Sequence, residues 1–199
     1  MKFLRKNTDS EILAARLTYQ KNRGANNAIL KDLLLIEQKN FCAYTEKYIQ
    51  SLDSTEVEHF NSSLKYADDY YNYYAVIRKA NEYKIAKDNT YRGAGFFGNL
   101  FFQNELELRR RIRYIDGVYE EVDITDTEAK DFIDFLGFNE HPLFEDRKKH
   151  INRLKKSFNE AGWDAQRQLE YFRTYPYELS FITALENELC LDLKEFYQQ

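Results

Sequence analysis

The sequence predicts an α+β fold in which a small unit of two strands and a helix is embedded in a mostly helical domain. Short strand-like segments precede a long helical pattern in the first half, and Asp116-Gly117 is a strong hairpin turn signal. The second half shows helical spacing of apolar residues. We therefore expect one domain over residues 1–199, with a ββα core at 41–88, an additional β-hairpin at 106–123 and a helical part, including the C-terminal helices, at 124–199.

The first elements follow from apolar periodicity. In residues 26–40, apolar side chains recur at helical spacing and predict a helix that leads into the core. Strand character follows at 41–44 and 55–58. Residues 70–84 then fit a helix that begins after Asn72, because asparagine is a favourable N-cap residue. The order strand, strand, helix gives the expected ββα unit.

Turn and cap residues define the later elements. Strand-like segments at 106–114 and 118–123 flank the hairpin turn. Either Thr125 or Asp126 can cap a helix that runs to Leu136. The remaining predicted elements are a glycine loop at 91–99 and helices at 143–161, 164–174 and 177–199.

Charge and composition narrow the classes of protein. No apolar run approaches the roughly 20 residues that a membrane span needs, and the first residues lack the apolar stretch of a signal peptide, so we expect a cytoplasmic protein without membrane contact. A net charge of -4 argues against a surface that grips nucleic acid everywhere. Basic residues are nevertheless clustered in the sequence. These clusters form either solvated faces of helices and strands or a substrate-binding surface. The candidates for such a surface are Lys84, Arg109, Arg110, Arg111 and Arg147.

The residues most suggestive of chemistry lie in Glu56-Val57-Glu58-His59-Phe60, followed by Asn72 and Asn81. Phosphodiester cleavage needs a water nucleophile, a base and positive charge at the phosphate. His59 suits the base, since neutral imidazole is abundant near neutral pH. Glu58 and Asn81 offer hard oxygen ligands for Mg²⁺, and Asn72 can hold the loop that carries His59.

Geometry sets a condition on this site. Neighbouring residues on a strand point to opposite faces, so Glu58 and His59 converge only if the strand ends or bends there. The polar run at 61–63 favours such a bend. A helix starting after Asn72 would place Asn81 about 14 Å along its axis, well past the first turn.

These residues resemble the HNH endonuclease superfamily, and in particular the nuclease subunits of Septu-type and retron-associated anti-phage systems. The resemblance spans about residues 29–154. Residues 37–46 are similar to the family's QxxxCAYCE opening and 79–84 to its CNxxK segment, while 115–117 and 135–147 resemble its hairpin and its LgLNxxxLxxxR tail. The resemblance implies a ββα-metal (HNH) core, with His59, Asn72 and Asn81 catalytic and Glu58 and Asn81 as metal ligands.

The resemblance also implies cofactors and partners. Many relatives bind a structural zinc through two cysteine pairs, but here Thr45, Ile77 and Ala80 stand at three of those positions, so we expect no structural zinc. The expected cofactor is Mg²⁺ or Mn²⁺. The expected partners are nucleic acid, most simply DNA, and an ATPase of the ABC or SMC-like type in an anti-phage system. Two alternatives remain: an RNA endonuclease, cutting for example tRNA, and a non-catalytic adaptor of the ATPase.

Overall fold

The computed structural model describes residues 2, 4–21, 23–65, 69–91, 97 and 102–198 and shows an α+β fold. The strands of these described parts are β1 (Thr55–His59), β2 (Tyr73–Ile77), β3 (Ile112–Ile115) and β4 (Val118–Glu121). The helices are α1 (Glu11–Ala14), α2 (Gly24–Glu37), α3 (Arg78–Tyr91), α4 (Glu105–Arg111), α5 (Thr127–Phe135), α6 (His141–Ala161), α7 (Ala165–Thr174) and α8 (Ile182–Leu189). Short 3₁₀ turns occur at Ser62–Leu64, Tyr70–Asn72, Pro176–Leu179 and Lys194–Phe196.

Two antiparallel hairpins provide the sheet structure. β1 pairs with β2 from Thr55 opposite Ile77 to His59 opposite Tyr73. β3 pairs with β4 across the predicted turn, where Asp116 and Gly117 have φ angles of 49° and 97°. Positive φ at both central residues is the requirement of a tight type I′ hairpin turn, which confirms the turn prediction.

The strand β2 corrects the prediction of a helix at 70–84. Tyr74 and Val76 pack in the main hydrophobic core, whereas Tyr73 and Ala75 pack in a second cluster with residues of α1 and α2. The segment is therefore buried on both faces, and such a short apolar run has no periodicity that separates strand from helix. The helix begins at Arg78, so Asn72 precedes a strand and caps no helix.

The segment predicted as the first core strand, 41–44, is also different. Its only strand-like pairing in the described chain is an isolated bridge between Phe41 and Tyr48. Gln38 holds the segment in place, because its side chain donates to the carbonyls of Phe41 and Ala75 and accepts from the amide of Ala75. The strand, strand and helix unit consequently consists of β1, β2 and α3. The predicted strand at 55–58 is confirmed as β1, whereas the second strand of the unit lies at 73–77 and not at 41–44.

Residues 106–114 were predicted as one strand, but most of them form α4. The side chain of Asn104 accepts hydrogen bonds from the amides of Leu106 and Glu107 and so caps this helix. An ion pair between Arg109 and Glu105, one turn apart, adds support within the helix. The strand β3 starts only at Ile112, which shortens the hairpin to residues 112–121.

The helical part follows the sequence prediction closely until its end. Asp126 caps α5, Gly162 ends α6 in the left-handed conformation, and Asp164 caps α7. The predicted helix at 177–199 is wrong in extent, because α8 covers eight of its residues and 3₁₀ turns flank it. Cys190 ends α8 with a φ of 54°, a conformation that stops a helix.

Asp126 gives a testable contribution to stability. Its carboxylate accepts from the amide of Ala129 and makes a two-point ion pair with Arg111, at 2.6 and 2.7 Å. We expect Asp126→Ala to lower the free energy of unfolding in urea by about 1–2 kcal/mol. Asp126→Asn should cost less, because asparagine keeps the cap and loses only the ion pair.

The pH dependence of these variants separates the two effects. The hydrogen bond from Arg111 lowers the pKa of Asp126, so the ion pair stabilises the fold at neutral pH and this contribution is lost as the pH falls through that lowered value. The stabilities of Asp126→Asn and the unaltered chain should therefore converge in acid. A difference that stayed constant with pH would contradict the ion-pair contribution.

Among the described helices, none combines the length and the apolar character that crossing a membrane requires. The predicted glycine loop at 91–99 lies outside the described residues, apart from Tyr91 and Phe97.

Candidate functional site

The polar cluster of this protein lies between β1 and α3. Glu56 and Glu58 stand two residues apart on β1 and so share one face of the strand, and α3 packs against the β1–β2 hairpin on that side. Asn81 and Lys84 lie three residues apart in α3, which places them on one face of the helix. Strand and helix periodicity thus bring two carboxylates, an amide and an amine together.

Asn81 joins the two carboxylates. Its Nδ2 donates to Glu56 Oε1 and to Glu58 Oε2, both at 2.7 Å. The residue is only 3% exposed. It lies in the first turn of α3, not well along the helix as the sequence suggested, because the helix begins six residues later than Asn72. The structure thus places Asn81 beside Glu58, with its amide nitrogen facing the carboxylate.

Lys84 binds the other oxygen of Glu58. Its Nζ donates to Glu58 Oε1 and, at 3.0 Å, to the carbonyl oxygen of His59. Lys84 is 1% exposed, and the ring of Phe135 lies 5.4 Å from its Nζ. Lys84 was a candidate for substrate binding, but its amine lies buried behind Glu58 and is shielded from a ligand at the surface. Its role in the structure is to neutralise Glu58.

The environment of Glu58 raises the pKa of its carboxyl above the ordinary value. Burial raises the pKa of the Glu58 carboxyl, and this effect exceeds the opposing influence of Lys84 and the hydrogen bond from Asn81. The nearby charge of Glu56 raises the pKa further. Lys84 and Asn81 hold the carboxylate in place, but their interactions do not fully compensate for the free energy that it loses on leaving water.

His59 points away from this cluster. β1 continues through His59, so the strand does not bend early enough for the ring to join Glu58 on one face. The ring instead contacts Tyr73, at 5.4 Å between centroids, and Tyr19, at 4.9 Å, both edge-on. The structure thus connects His59 to the cluster through its backbone carbonyl, which Lys84 binds, and not through its side chain.

Asn72 fastens the chain just after His59. Its Oδ1 accepts from the amide of Asn61 at 2.7 Å, and its Nδ2 donates to the carbonyl of Asn61 at 3.0 Å. The carbonyl of Asn72 also accepts from the amide of Phe60. These contacts fix the backbone of residues 60 and 61 relative to Asn72.

The basic residues of α4 are engaged in ion pairs away from this cluster. Arg109 contacts Glu105, Glu186 and the hydroxyl of Tyr197. The partners of the other two arginines are Glu107 for Arg110 and Asp126 and Glu128 for Arg111. Contacts within the described chain account for all three guanidinium groups, and none of these contacts reaches Glu58 or Asn81. Arg110, with 74% of its side chain exposed, is the most open of the three.

Arg147 has a structural role instead of the predicted substrate contact. It is 1% exposed, and its guanidinium donates to the carbonyls of Gly117 and Phe138. It also lies over the ring of Tyr119, at 5.1 Å from the centroid. The residue joins α6 to the turn of the second hairpin, and a buried guanidinium cannot bind an external phosphate.

The positions that correspond to zinc ligands in the resembling family contain an ordinary core. Cys42 is buried, and its Sγ accepts from the amide of Ile77 at 3.3 Å. Ala80 is 3% exposed and packs in the main core. In the described part of the chain, no group of three or more histidine, cysteine, aspartate or glutamate side chains is arranged to hold a metal.

Glu56 belongs to this cluster although it is not among the residues that the sequence predicts for the site, and Lys84 binds Glu58 where the sequence predicts a substrate contact. The signal for Glu56 was its two-residue spacing from Glu58, and the signal for Lys84 was its three-residue spacing from Asn81.

Comparisons of the chain with models of known protein families, with curated proteins and with solved structures give no match. The geometry of this cluster and the motif resemblance are therefore the basis of a functional assignment.

Proposed function

We propose that this protein is a metal-dependent endonuclease of the HNH type that cleaves phosphodiester bonds, most simply in DNA. The observation that carries the proposal is the contact of Asn81, from the first turn of α3, with Glu58 of β1, in a unit ordered strand, strand, helix. The clamp of Asn72 on the chain after His59 supports it further. The residues that resemble the family's H, N and N motif all lie within or next to this unit, although the His59 ring faces Tyr19 and Tyr73 and not Asn81.

The donors at this place fit a hard divalent cation. A carboxylate from Glu58 and an amide oxygen from Asn81 are ligands that Mg²⁺ and Mn²⁺ accept, and Asn81 Oδ1 is buried without a hydrogen-bond partner among the described residues. When bound, the metal supplies positive charge that polarises the phosphate and stabilises the leaving oxygen. Two protein ligands leave most coordination positions to water and substrate.

The remaining steps belong to residues of this chain. His59 accepts the proton of the attacking water, and Asn72 maintains the backbone that carries it. In the structure the ring of Tyr19 lies against His59, so the proposed reaction requires this tyrosine to move aside when the phosphate approaches. Lys84 neutralises Glu58 and stabilises the strand end through the carbonyl of His59.

The motif resemblance also suggests partners for this protein. We propose that the nuclease acts with an ABC or SMC-like ATPase in an anti-phage system, and that the helices after residue 154 form the docking surface for it. A net charge of -4 suits such an arrangement, because a partner can supply part of the contact with nucleic acid.

The proposal is tested by incubating the purified chain with Mg²⁺ or Mn²⁺ and with plasmid DNA and tRNA in parallel. We expect nicking of DNA that a chelator abolishes, and a loss of about 10²–10⁴-fold in rate for His59→Ala, since a general base contributes that much. His141→Ala is the matched control, because His141 is exposed at the start of α6 and should leave the rate unchanged.

Each alternative predicts a different outcome. Cleavage of tRNA with DNA left intact would identify an RNA endonuclease on the same site. Unchanged cleavage by His59→Ala would contradict the base assignment. The side-chain direction of His59 and the engagement of both Glu58 oxygens favour the adaptor as the second candidate function. Absence of both cleavage and metal binding would support that adaptor.

A further inference from the structure

The amide of Asn81 occupies a place that suits a cation. Its nitrogen lies between Glu56 Oε1 and Glu58 Oε2 and donates one hydrogen bond to each, so two carboxylate oxygens face one point. Lys84 neutralises one of the two carboxylates, through Glu58 Oε1. The pair therefore keeps one net negative charge, apart from the contact of Glu56 Oε2 with the exposed Arg78 at 3.5 Å.

The other end of the same amide is unsatisfied. Asn81 Oδ1 is fully buried, and no described group donates a hydrogen bond to it. A buried acceptor without a donor is unfavourable. A half-turn of the amide about its Cβ–Cγ bond exchanges the oxygen and the nitrogen. The oxygen would then face Glu56 and Glu58, an arrangement that is repulsive unless a cation lies between the three oxygens.

We propose that Glu56, Glu58 and Asn81 Oδ1 form a three-oxygen site for a divalent cation, and that cation binding turns the Asn81 amide. This inference rests on the proposed function and deepens it, because it adds Glu56 as a ligand and a change of side-chain conformation. Three oxygen ligands, two of them carboxylates, suit Mg²⁺ and Mn²⁺. Glu56 is the open side of the site, with 31% of its side chain exposed, so the ion enters there and keeps its remaining waters there.

The first test measures Mn²⁺ binding to the full chain without nucleic acid, by the electron paramagnetic resonance signal of free Mn²⁺. Glu56→Gln should weaken the affinity by at least about tenfold. Glutamine still accepts the hydrogen bond from Asn81, so the fold is kept, and its Tm without metal provides the check. Glu82→Gln is the matched control, because Glu82 is exposed on α3 and pairs only with Lys79 in the described contacts; its affinity should be unchanged.

The second test follows the amide itself. In ¹⁵N-labelled protein, Mg²⁺ should shift the side-chain NH₂ resonances of Asn81, because the amide NH₂ group leaves its two carboxylate acceptors when the side chain turns. The shift should be absent in Glu56→Gln at the same Mg²⁺ concentration. Binding of Mn²⁺ without any change of these resonances would overturn the turning of the amide.

The outcomes distinguish this inference from the proposed function. If Glu58→Gln and Asn81→Ala lose Mn²⁺ binding while Glu56→Gln binds like the unaltered chain, the three-ligand site is wrong and the nuclease proposal stands. If the unaltered chain binds no Mn²⁺, both are wrong. If the unaltered chain binds Mn²⁺ and all three substitutions weaken this binding, but the unaltered chain does not cut DNA, the cation site is correct and the nuclease proposal is not.

Discussion

Lys84→Met is expected to lower the free energy of unfolding by about 3–5 kcal/mol, the usual cost of removing one member of a buried ion pair. Lys84 and Glu58 are 1% and 8% exposed, so water cannot replace the lost amine at the carboxylate. The carbonyl of His59 also loses its donor. Methionine preserves most of the side-chain volume, so the effect measured is chiefly electrostatic.

The pH dependence of this variant gives a second signature. Burial already raises the pKa of Glu58, and removal of Lys84 takes away the strongest opposing influence. The folded variant then holds the Glu58 proton more tightly than the unfolded chain does. Its stability should therefore fall as the pH rises through the range in which Glu58 ionises, and the deficit should shrink in acid.

Urea denaturation followed by circular dichroism measures both effects. Lys79→Met is the control on the same helix, because Lys79 forms an exposed pair with Glu82 and should change stability much less than Lys84→Met does. Adding Glu58→Gln to Lys84→Met should recover a large part of the loss. A loss below about 1 kcal/mol for Lys84→Met alone would show that the pair is hydrated.

Arg147→Met is expected to lower the free energy of unfolding by about 3 kcal/mol, because it leaves two buried carbonyls without donors. The guanidinium joins Gly117 and Phe138, which are separated in the chain but adjacent around the second hairpin. Contact with the Tyr119 ring adds a cation–π interaction that methionine cannot replace. The hairpin should become the first part of the variant to open.

Hydrogen exchange of the β3 and β4 amides, together with urea denaturation, tests this expectation. Lys148→Met is the neighbouring control, since Lys148 is exposed on α6 and should have little effect. The opposite pattern, with normal stability and weaker binding of nucleic acid, would support the substrate contact that the sequence suggested for Arg147.

The predictions from sequence succeeded where the signal was local. Asp126, one of the two residues predicted as a cap, does cap α5, and α6 and α7 end at the predicted residues 161 and 174. Each of these features acts over three or four residues, so neighbouring sequence contains the information. The Asp116-Gly117 turn is local in the same sense, because the left-handed backbone that it needs depends on those two residues.

The predictions failed where contacts with distant segments determine the local structure. Residues 73–77 became a strand because β1 offers hydrogen-bonding partners and two hydrophobic clusters cover both faces of the segment. A helix was equally consistent with the apolar run itself. For the same reason the spacing of Asn72 and Asn81 predicted a position well along α3, although Asn81 lies in its first turn.

The sequence alone therefore determined the α+β class, the second hairpin turn, the approximate extents of α5 to α7 and the residue types of the candidate site. Tertiary structure decided which of those residues meet. It paired Asn81 with Glu56 and Glu58, buried Lys84 behind Glu58, turned His59 towards Tyr19 and enclosed Arg147 beneath the hairpin. The residues in these contacts are between 23 positions apart in the chain, for Glu58 and Asn81, and 40 positions apart, for Tyr19 and His59. Only packing of the whole fold brings such distant residues into contact.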